Sequence, residues 1–174
     1  MFFQVTNLDE NTIQTNTIKI RANLRNGVTE FLEGHTDMLG RIDNDIILTE
    51  SIVEGRTIKK EFIIQSGVLI VSNGGLNSEA PKGTYVLVHS KEIVELSGVI
   101  DEKKTSDLVK KLEKKTGELE KELVKINMSL IDLKDAEARN SIFRNQSAAK
   151  VRTSFEDVEF FTKALELIKT KRTS

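Results

Sequence analysis

A regularly spaced row of aliphatic residues in the last part of the chain constrains its fold more than any other feature. The row consists of Leu112, Leu119, Leu123, Ile126, Leu130 and Leu133, at steps of seven, four, three, four and three residues, and Thr116 fills the gap. That spacing places one apolar seam along an α-helix, with Lys and Glu on the other faces. A helix from about residue 101 to residue 138 would be roughly 55 Å long at 1.5 Å per residue. A seam of this length needs a partner, in this chain or in another.

A second apolar row supplies a partner within the chain. It comprises Phe155, Val158, Phe161, Leu165 and Ile168. Ser154 precedes this row and is predicted to cap a second helix, while Asp101 is predicted to cap the first. Residues 139–147 are rich in Asn and Ser, which have low helix propensity, so a bend is expected there. The sequence therefore predicts a helical hairpin with an extended first helix.

The first hundred residues have the pattern of short β-strands. Apolar and polar residues alternate in several runs, for instance at Phe3 and Val5 and again from Ile18 to Leu24. Turn-forming residues separate the runs, as at Glu54-Gly55, and the Gly-, Asn- and Ser-rich stretch 72–83 is predicted to be a mobile loop. Many short strands without a helical period favour a β-sandwich or a flattened barrel. The predicted fold class is α+β, an N-terminal β-sandwich followed by the helical hairpin.

Composition divides the chain near residue 100. Residues 1–100 hold 9 Lys and Arg against 13 Asp and Glu, a net charge of −4, whereas residues 101–174 hold 17 against 14, a net charge of +3. Nine of the ten Gly residues and the only Pro lie in the first part. We therefore expect a β-sandwich domain at 1–100 and an α-helical domain at 101–174.

The overall charge and the absence of cysteine exclude several classes of function. The net charge of −1 gives no reason to expect a nucleic acid or an anionic membrane as the main partner. The chain has no Cys, which excludes a disulfide framework and thiol catalysis and fits a reducing compartment. No signal peptide and no run of 18 apolar residues is present, so we expect a cytoplasmic protein that does not itself span a membrane.

His35 is the first candidate for chemistry, because it follows Gly34 in a segment between early strands. A histidine can act as a general base or a metal ligand. A base needs a substrate group or nucleophile in reach, and a metal usually needs three or more ligands. The only other histidine is His89, which lies on a predicted strand. A turn histidine with local hydrogen bonds, or a contact residue at an interface, is the favoured interpretation, so we expect neither catalytic nor metal-binding residues.

The order of these parts resembles a known family. Gly34-His35 followed by Met38-Leu39 is similar to the glycine-histidine segment of the epsilon subunit of F-type ATP synthases, which is the delta subunit in mitochondria. The run Phe62-Ile63-Ile64-Gln65-Ser66-Gly67-Val68-Leu69 is similar to the aromatic-aliphatic-Ser-Gly strand pair of that family. A sandwich of about a hundred residues, an Ile-Asp boundary and helices then follow in the same order. Glu30 and Glu33 depart from the family, which commonly has a Gly and a Pro ahead of its Gly-His pair.

This resemblance implies a non-catalytic subunit of the central stalk, in a conventional synthase or in a specialised F-like ATPase. It implies that the sandwich docks on the gamma subunit and that Gly27, Val28, Glu30, Gly34 and His35 face the membrane rotor ring. It further implies that the helices can lie on the sandwich or extend along gamma toward the catalytic alpha and beta subunits, restraining ATP hydrolysis. Such a subunit would be peripheral at the inner face of the cell membrane. The Asn, Ile and Lys usage is typical of an AT-rich bacterial genome.

Bacterial members of the family often bind ATP through an Ile-Asp-x-x-Arg-Ala signature at the start of the first helix. Here Ile100 and Asp101 match, but Lys104 replaces Arg and Thr105 replaces Ala. Lysine keeps the charge without the planar fork that grips a phosphate or an adenine edge in two places. ATP is thus a candidate regulatory ligand at Ile100, Asp101 and Lys104, and no cofactor is required.

A different class of protein fits the seam equally well. A β-sandwich with a coiled-coil arm that dimerises or recruits another protein, unrelated to ATP, would have the same apolar row. Stoichiometry separates the two hypotheses, because a stalk subunit is present in one copy beside gamma whereas an adaptor associates with itself.

Overall fold

The computed structural model describes residues 1–74, 82–96, 102–136 and 141–172, with helical side chains described at 105–126, 149–150 and 152–171. The chain divides into two compact units, Met1–Gly98 and Val99–Ser174. The first unit contains ten described strands and the second contains two described helices. The fold class is α+β, a β-sandwich followed by a helical hairpin, as the sequence predicts.

The first unit consists of two five-stranded sheets. One has the order β2-β1-β9-β8-β5, with bounds Thr12–Asn16, Phe2–Asn7, Thr84–Ser90, Gly67–Asn73 and Met38–Ile42. The other has the order β10-β7-β6-β3-β4, with bounds Glu92–Glu95, Arg56–Gln65, Asp45–Val53, Lys19–Leu24 and Gly27–Phe31. Every pairing is antiparallel except that of β1 with β9, which is parallel.

Alternating apolar residues of both sheets meet in one core. The buried cluster takes Phe3, Val5, Val86, Val88, Leu69, Val71 and Ile42 from the first sheet and Ile20, Ala22, Phe31, Ile47, Phe62 and Ile64 from the second. The rings of Phe3 and Phe62 bridge the sheets, with their centroids 5.8 Å apart. Because side chains alternate across a strand, the two-residue period in the sequence places each of these residues inside.

The second unit contains α1, Glu102–Ala136, and α2, Ser141–Arg172. At 35 residues, α1 is about 52 Å long. Lys169 contacts Glu113 at 3.4 Å and Lys150 contacts Glu122 at 3.8 Å, so the two helices pack in antiparallel directions. In the α1 seam, Leu112 is buried. Three further members, Leu119, Leu123 and Ile126, are half-buried.

Thr116 is the polar member of the α1 seam, and its hydroxyl is satisfied locally. The side chain is buried, and Oγ1 donates a hydrogen bond of 2.8 Å to the Leu112 carbonyl four residues earlier. A buried hydroxyl without such a partner would be costly. The side chains of Leu130 and Leu133 lie outside the described residues.

The predicted start of the second helix is wrong. Helix α2 begins at Ser141, and Ser154 lies in its interior, where its side chain is buried rather than capping. The ion pair of Lys150 with Glu122 lies ahead of Ser154, so this part of α2 already packs on α1. Helix propensities differ by only about half a kcal/mol per residue, and tertiary packing overrides them.

The predicted position of Phe155 in the second apolar row is also wrong, because 61% of that residue is exposed. Counting about 100° per residue, Phe155 lies about 120° around the helix from Phe161, whereas Ser154 lies within about 20° of it. Ser154 therefore takes the seam position. The fully buried Phe160, which is not part of the predicted row, widens the apolar face beside Phe161.

Candidate interaction site

The Gly-His segment, residues 27–35, is part strand and part loop. Its first five residues form β4, which pairs with β3 along the edge of the second sheet. Gly27 has a φ of 123°, a backbone conformation that L side chains rarely adopt, and it follows the turn at Arg25 and Asn26. The sequence predicts no strand here, because Val28-Thr29-Glu30 lacks a clear alternation.

Gly34 is fixed by a strand that lies fifty residues away in the sequence. Its amide donates a hydrogen bond of 2.7 Å to Oγ1 of Thr84, at the start of β9. Its φ is 82°, in the left-handed region that favours glycine. The Thr84 amide in turn donates to Oε1 of Glu33 at 2.8 Å. Two adjacent residues of the loop are therefore tied to one residue of the first sheet.

Glu33 is also the acceptor of an ion pair. The amino group of Met1 lies 2.6 Å from Glu33 Oε2. That amino group and, next, the hydrogen bond from the Thr84 amide lower the pKa of Glu33 below its ordinary value. Through these two contacts Glu33 anchors the loop.

His35 makes short-range contacts. Its amide donates a hydrogen bond of 3.1 Å to the Leu32 carbonyl, and Nδ1 lies 2.8 Å from the Thr36 carbonyl oxygen. The imidazole stands edge-on to the ring of Phe31, with the centroids 5.0 Å apart. These contacts all lie within four residues of His35, as in a turn.

The far side of the loop is tied to the first sheet at a second point. The Asn73 amide, at the end of β8, donates a hydrogen bond of 2.6 Å to Oδ1 of Asp37. Nothing local in the sequence marks Thr84 or Asp37, because each meets its partner across a long stretch of the chain, Thr84 with Gly34 and Asp37 with Asn73.

The surface beside the Gly34-His35 loop combines exposed aliphatic side chains with an ion pair at its margin. Val28 and Leu32 are exposed by 55% and 54%. Glu30 forms an ion pair of 2.9 Å with Lys19 on β3, and this hydrogen bond lowers the pKa of Glu30. A backbone held by hydrogen bonds, exposed aliphatic side chains and charges at the margin make a surface suited to protein contact.

The predicted ATP signature cannot be placed. Ile100 and Asp101 lie outside the described residues, as does the side chain of Lys104. Thr105 follows them in α1 and is buried. ATP binding at Ile100, Asp101 and Lys104 remains a prediction from the sequence.

The described residues offer no metal-binding cluster: no three His, Asp or Glu side chains among them come together around a possible ion. Neither helix, so far as its residues are described, has a stretch long and apolar enough to cross a membrane.

Comparison with known proteins gives matches in structure only. No protein-family model matches the chain, and no curated protein matches it. It is similar to a chain of the Euglena gracilis mitochondrial ATP synthase, from a cryo-EM structure of OSCP, F1 and the c-ring in rotational state 1. The identity there is 18% and the TM-score 0.44, over 94% of this chain and 79% of the other. It is also similar to a chain of the Tetrahymena thermophila mitochondrial ATP synthase central stalk and c-ring. That match has an identity of 13% and a TM-score of 0.41, over 94% of this chain and 95% of the other.

Proposed function

We propose that this chain is an epsilon-type subunit of the central stalk of a rotary F-type ATP synthase or F-like ATPase, with no catalytic role of its own. The observation that carries the proposal is the Gly34-His35 loop, which is fixed on the sandwich by Thr84 and flanked by exposed Val28 and Leu32. It agrees with the sequence motifs and with the order of a β-sandwich and a long helical hairpin.

In this proposal the sandwich and the helices contact different sets of partners. The sandwich docks on the gamma subunit, and Gly27, Val28, Glu30, Gly34 and His35 face the membrane rotor ring where a ring is present. The helices extend along gamma toward the catalytic alpha and beta subunits and restrain ATP hydrolysis. The net charge of +3 on residues 101–174 suits contact with acidic surfaces of those subunits. The protein would then lie at the inner face of the cell membrane as part of the complex.

The competing proposal is an adaptor that uses its α1 seam to bind another molecule. Such a role needs a seam that is free in the isolated chain. Here α1 packs against α2 of the same chain, with Lys115 lying 4.5 Å from the ring centroid of Phe161. The described part of the seam faces α2 of the same chain, which favours the stalk proposal over the adaptor.

A native pull-down of the tagged full-length protein from its own cells, with the partners identified and counted by mass, tests the proposal. We expect one copy of this chain with a gamma-type subunit and with catalytic ATPase subunits. Ring subunits in the same complex would indicate a synthase, and their absence a soluble ATPase variant. A homodimer without ATPase subunits would refute the proposal and favour the adaptor.

A further inference from the structure

The sandwich carries two Asn-Gly pairs, Asn26-Gly27 and Asn73-Gly74. Such a pair is able to modify itself without an enzyme. The backbone amide nitrogen of the glycine attacks the side-chain carbonyl carbon of the asparagine, the side-chain amide leaves as ammonia, and a five-membered succinimide ring remains. Glycine favours this attack because it has no Cβ to obstruct it and because its backbone reaches conformations that other residues rarely adopt. The two pairs are therefore chemically equal, and only the fold distinguishes them.

Hydrogen bonds, and not exposure, separate the two asparagines. Both Asn26 and Asn73 are exposed, so water reaches each of them. To form the ring, however, the asparagine has to rotate until its side-chain carbonyl carbon meets the following amide nitrogen. The free energy needed for that rotation depends on how firmly the local backbone is held.

Asn73 is held on several sides. It ends β8, a strand that lies between β9 and β5, and it pairs in register with Thr84. Its own amide donates a hydrogen bond of 2.6 Å to Oδ1 of Asp37. The Gly74 amide, whose nitrogen would make the attack, donates a hydrogen bond of 3.0 Å to the Gly83 carbonyl. Ring closure at Asn73 would have to break these bonds, each of which is costly to leave unmade.

Asn26 is held much less firmly. It lies in the two-residue turn between β3 and β4, and β4 is the edge strand of its sheet. The strand register ends with the pair Leu24 and Gly27, so Asn26 itself lies outside the ladder. Its side chain forms no hydrogen bond with any residue that the structure describes. A Cβ placed on Gly27 would meet nothing within 4 Å, so no packed side chain obstructs movement of this peptide unit.

We propose that Asn26 is a site of spontaneous deamidation and that the fold protects Asn73 from the same reaction. Water is the only co-reactant, and nothing is oxidised or reduced. Hydrolysis of the bond between the ring nitrogen and the side-chain carbonyl carbon gives aspartate. Hydrolysis of the bond to the backbone carbonyl carbon gives isoaspartate, in which the chain continues through the former side chain. This inference does not rest on the proposed function.

The product changes both the charge and the geometry of the turn. An aspartate side chain has a pKa of about 3.9, so the new carboxylate is ionised at neutral pH and adds one negative charge directly before Gly27. Isoaspartate also adds one carbon to the backbone of a two-residue turn, which changes the spacing between β3 and β4. Its carboxylate is the group that isoaspartate O-methyltransferases esterify, with S-adenosylmethionine as the methyl donor. An enzyme of this class would therefore recognise the aged chain.

The test incubates the full-length protein in mildly alkaline buffer, where the glycine amide loses its hydrogen more readily. Samples taken over several days are digested under mildly acid conditions, and mass spectrometry follows the gain of about one dalton at each asparagine. Methyl transfer from labelled S-adenosylmethionine by an isoaspartate O-methyltransferase measures the isoaspartate. We expect Asn26 to react at least tenfold faster than Asn73. Asn26→Ser should remove most of the methyl incorporation, and the matched control Asn73→Ser should leave it unchanged.

The same chain unfolded in guanidinium chloride supplies the reference. There the two Asn-Gly pairs should react at rates within about twofold of each other, because the folded contacts that separate them are gone. Equal rates in the folded protein, or faster reaction at Asn73, would refute the assigned protection. An Asn26 that stays unmodified in the folded protein while the unfolded chain is converted would refute the modification site.

Discussion

At the scale of single residues, Gly34 determines the shape of the Gly-His loop. Its φ of 82° costs a residue with a side chain roughly 1–2 kcal/mol. We therefore expect Gly34→Ala to lower the free energy of unfolding of the sandwich by about that amount. Tyr85, the only tyrosine and a residue of β9, reports this unfolding by its fluorescence in a urea titration.

Gly117 supplies a control with the opposite expected sign. It lies within α1, where an added Cβ would meet nothing within 4 Å. Because glycine is unfavourable inside a helix, Gly117→Ala should stabilise the hairpin by roughly 0.5–1 kcal/mol, as measured by far-ultraviolet circular dichroism. A stabilising effect of Gly34→Ala would contradict the described backbone of the loop.

Because of Glu33, we expect the free energy of unfolding of the sandwich to depend on pH in the acid range. The Met1 amino group and the Thr84 amide lower its pKa from 4.5, so its contribution is fully present above about pH 4.5 and is lost as the pH falls through the lower folded pKa. We expect Glu33→Gln to be less stable than the unchanged protein near neutral pH, and the difference to shrink as the pH drops below about 4.

The control for this prediction is Glu54→Gln, at an exposed carboxylate of the turn between β6 and β7. Its urea midpoint, followed by Tyr85 fluorescence, should match that of the unchanged protein at each pH. A stability difference for Glu33→Gln that stays constant from neutral to acid pH would refute the assigned ion pair and hydrogen bond.

The Gly-His pair can be recognised in the sequence, but the hydrogen bonds that hold its loop in place cannot. Gly34 and His35 stand out as a local motif, and the short-range contacts of His35 follow from a turn. Thr84 and Asp37 have no comparable signal, because their roles arise from strands that meet only after the sandwich forms. Long-range pairings of this kind are not encoded in any local pattern.

At the scale of elements, Phe155 and Phe161 of α2 show where the sequence prediction and the structure differ. Phe161 is 2% exposed and lies under Lys115, whereas Phe155 is 61% exposed. We expect Phe161→Ala to lower the free energy of unfolding by about 3–5 kcal/mol through the cavity it leaves. Phe155→Ala should change it by less than about 0.5 kcal/mol.

Thermal and urea unfolding, followed by far-ultraviolet circular dichroism, would measure both changes. Similar losses for the two variants would place Phe155 in the seam, as the sequence pattern suggests, and would contradict the described rotation of α2. Both residues are phenylalanines in the same helix, so comparing their alanine variants separates the effect of burial from the effect of helix propensity.

These helices also show which parts of an element can be read from sequence. The α1 seam is long and strongly periodic, and the predicted helix agrees with the observed one within about two residues at each end. The α2 boundary is wrong because Asn145 and Ser147 disfavour a helix only weakly, and packing along α1 outweighs them. In the sandwich, alternation predicts strands and turns such as Glu54-Gly55, but not their order in the sheets, since pairing depends on contacts far apart in the chain.

At the scale of the whole molecule, the fold class follows from the sequence because a β period and a helical period occupy different parts of the chain. Function is harder to read, because a β-sandwich with a helical hairpin serves many purposes. The stalk proposal therefore depends on the Gly-His surface and on an α1 seam whose partner is α2 of the same chain. It places the chain on the rotating part of a motor, and that is its central claim.

The most direct test is to observe rotation of this chain. The assembled ATPase would be fixed to a surface through its catalytic subunits, and a bead would be attached to a cysteine introduced at Val124, an exposed position on α1 in a chain with no other cysteine. We expect the bead to turn in one direction when ATP is added and to stop when ATP is withdrawn. A bead that stays still while the same complexes hydrolyse ATP would contradict the assignment to the central stalk.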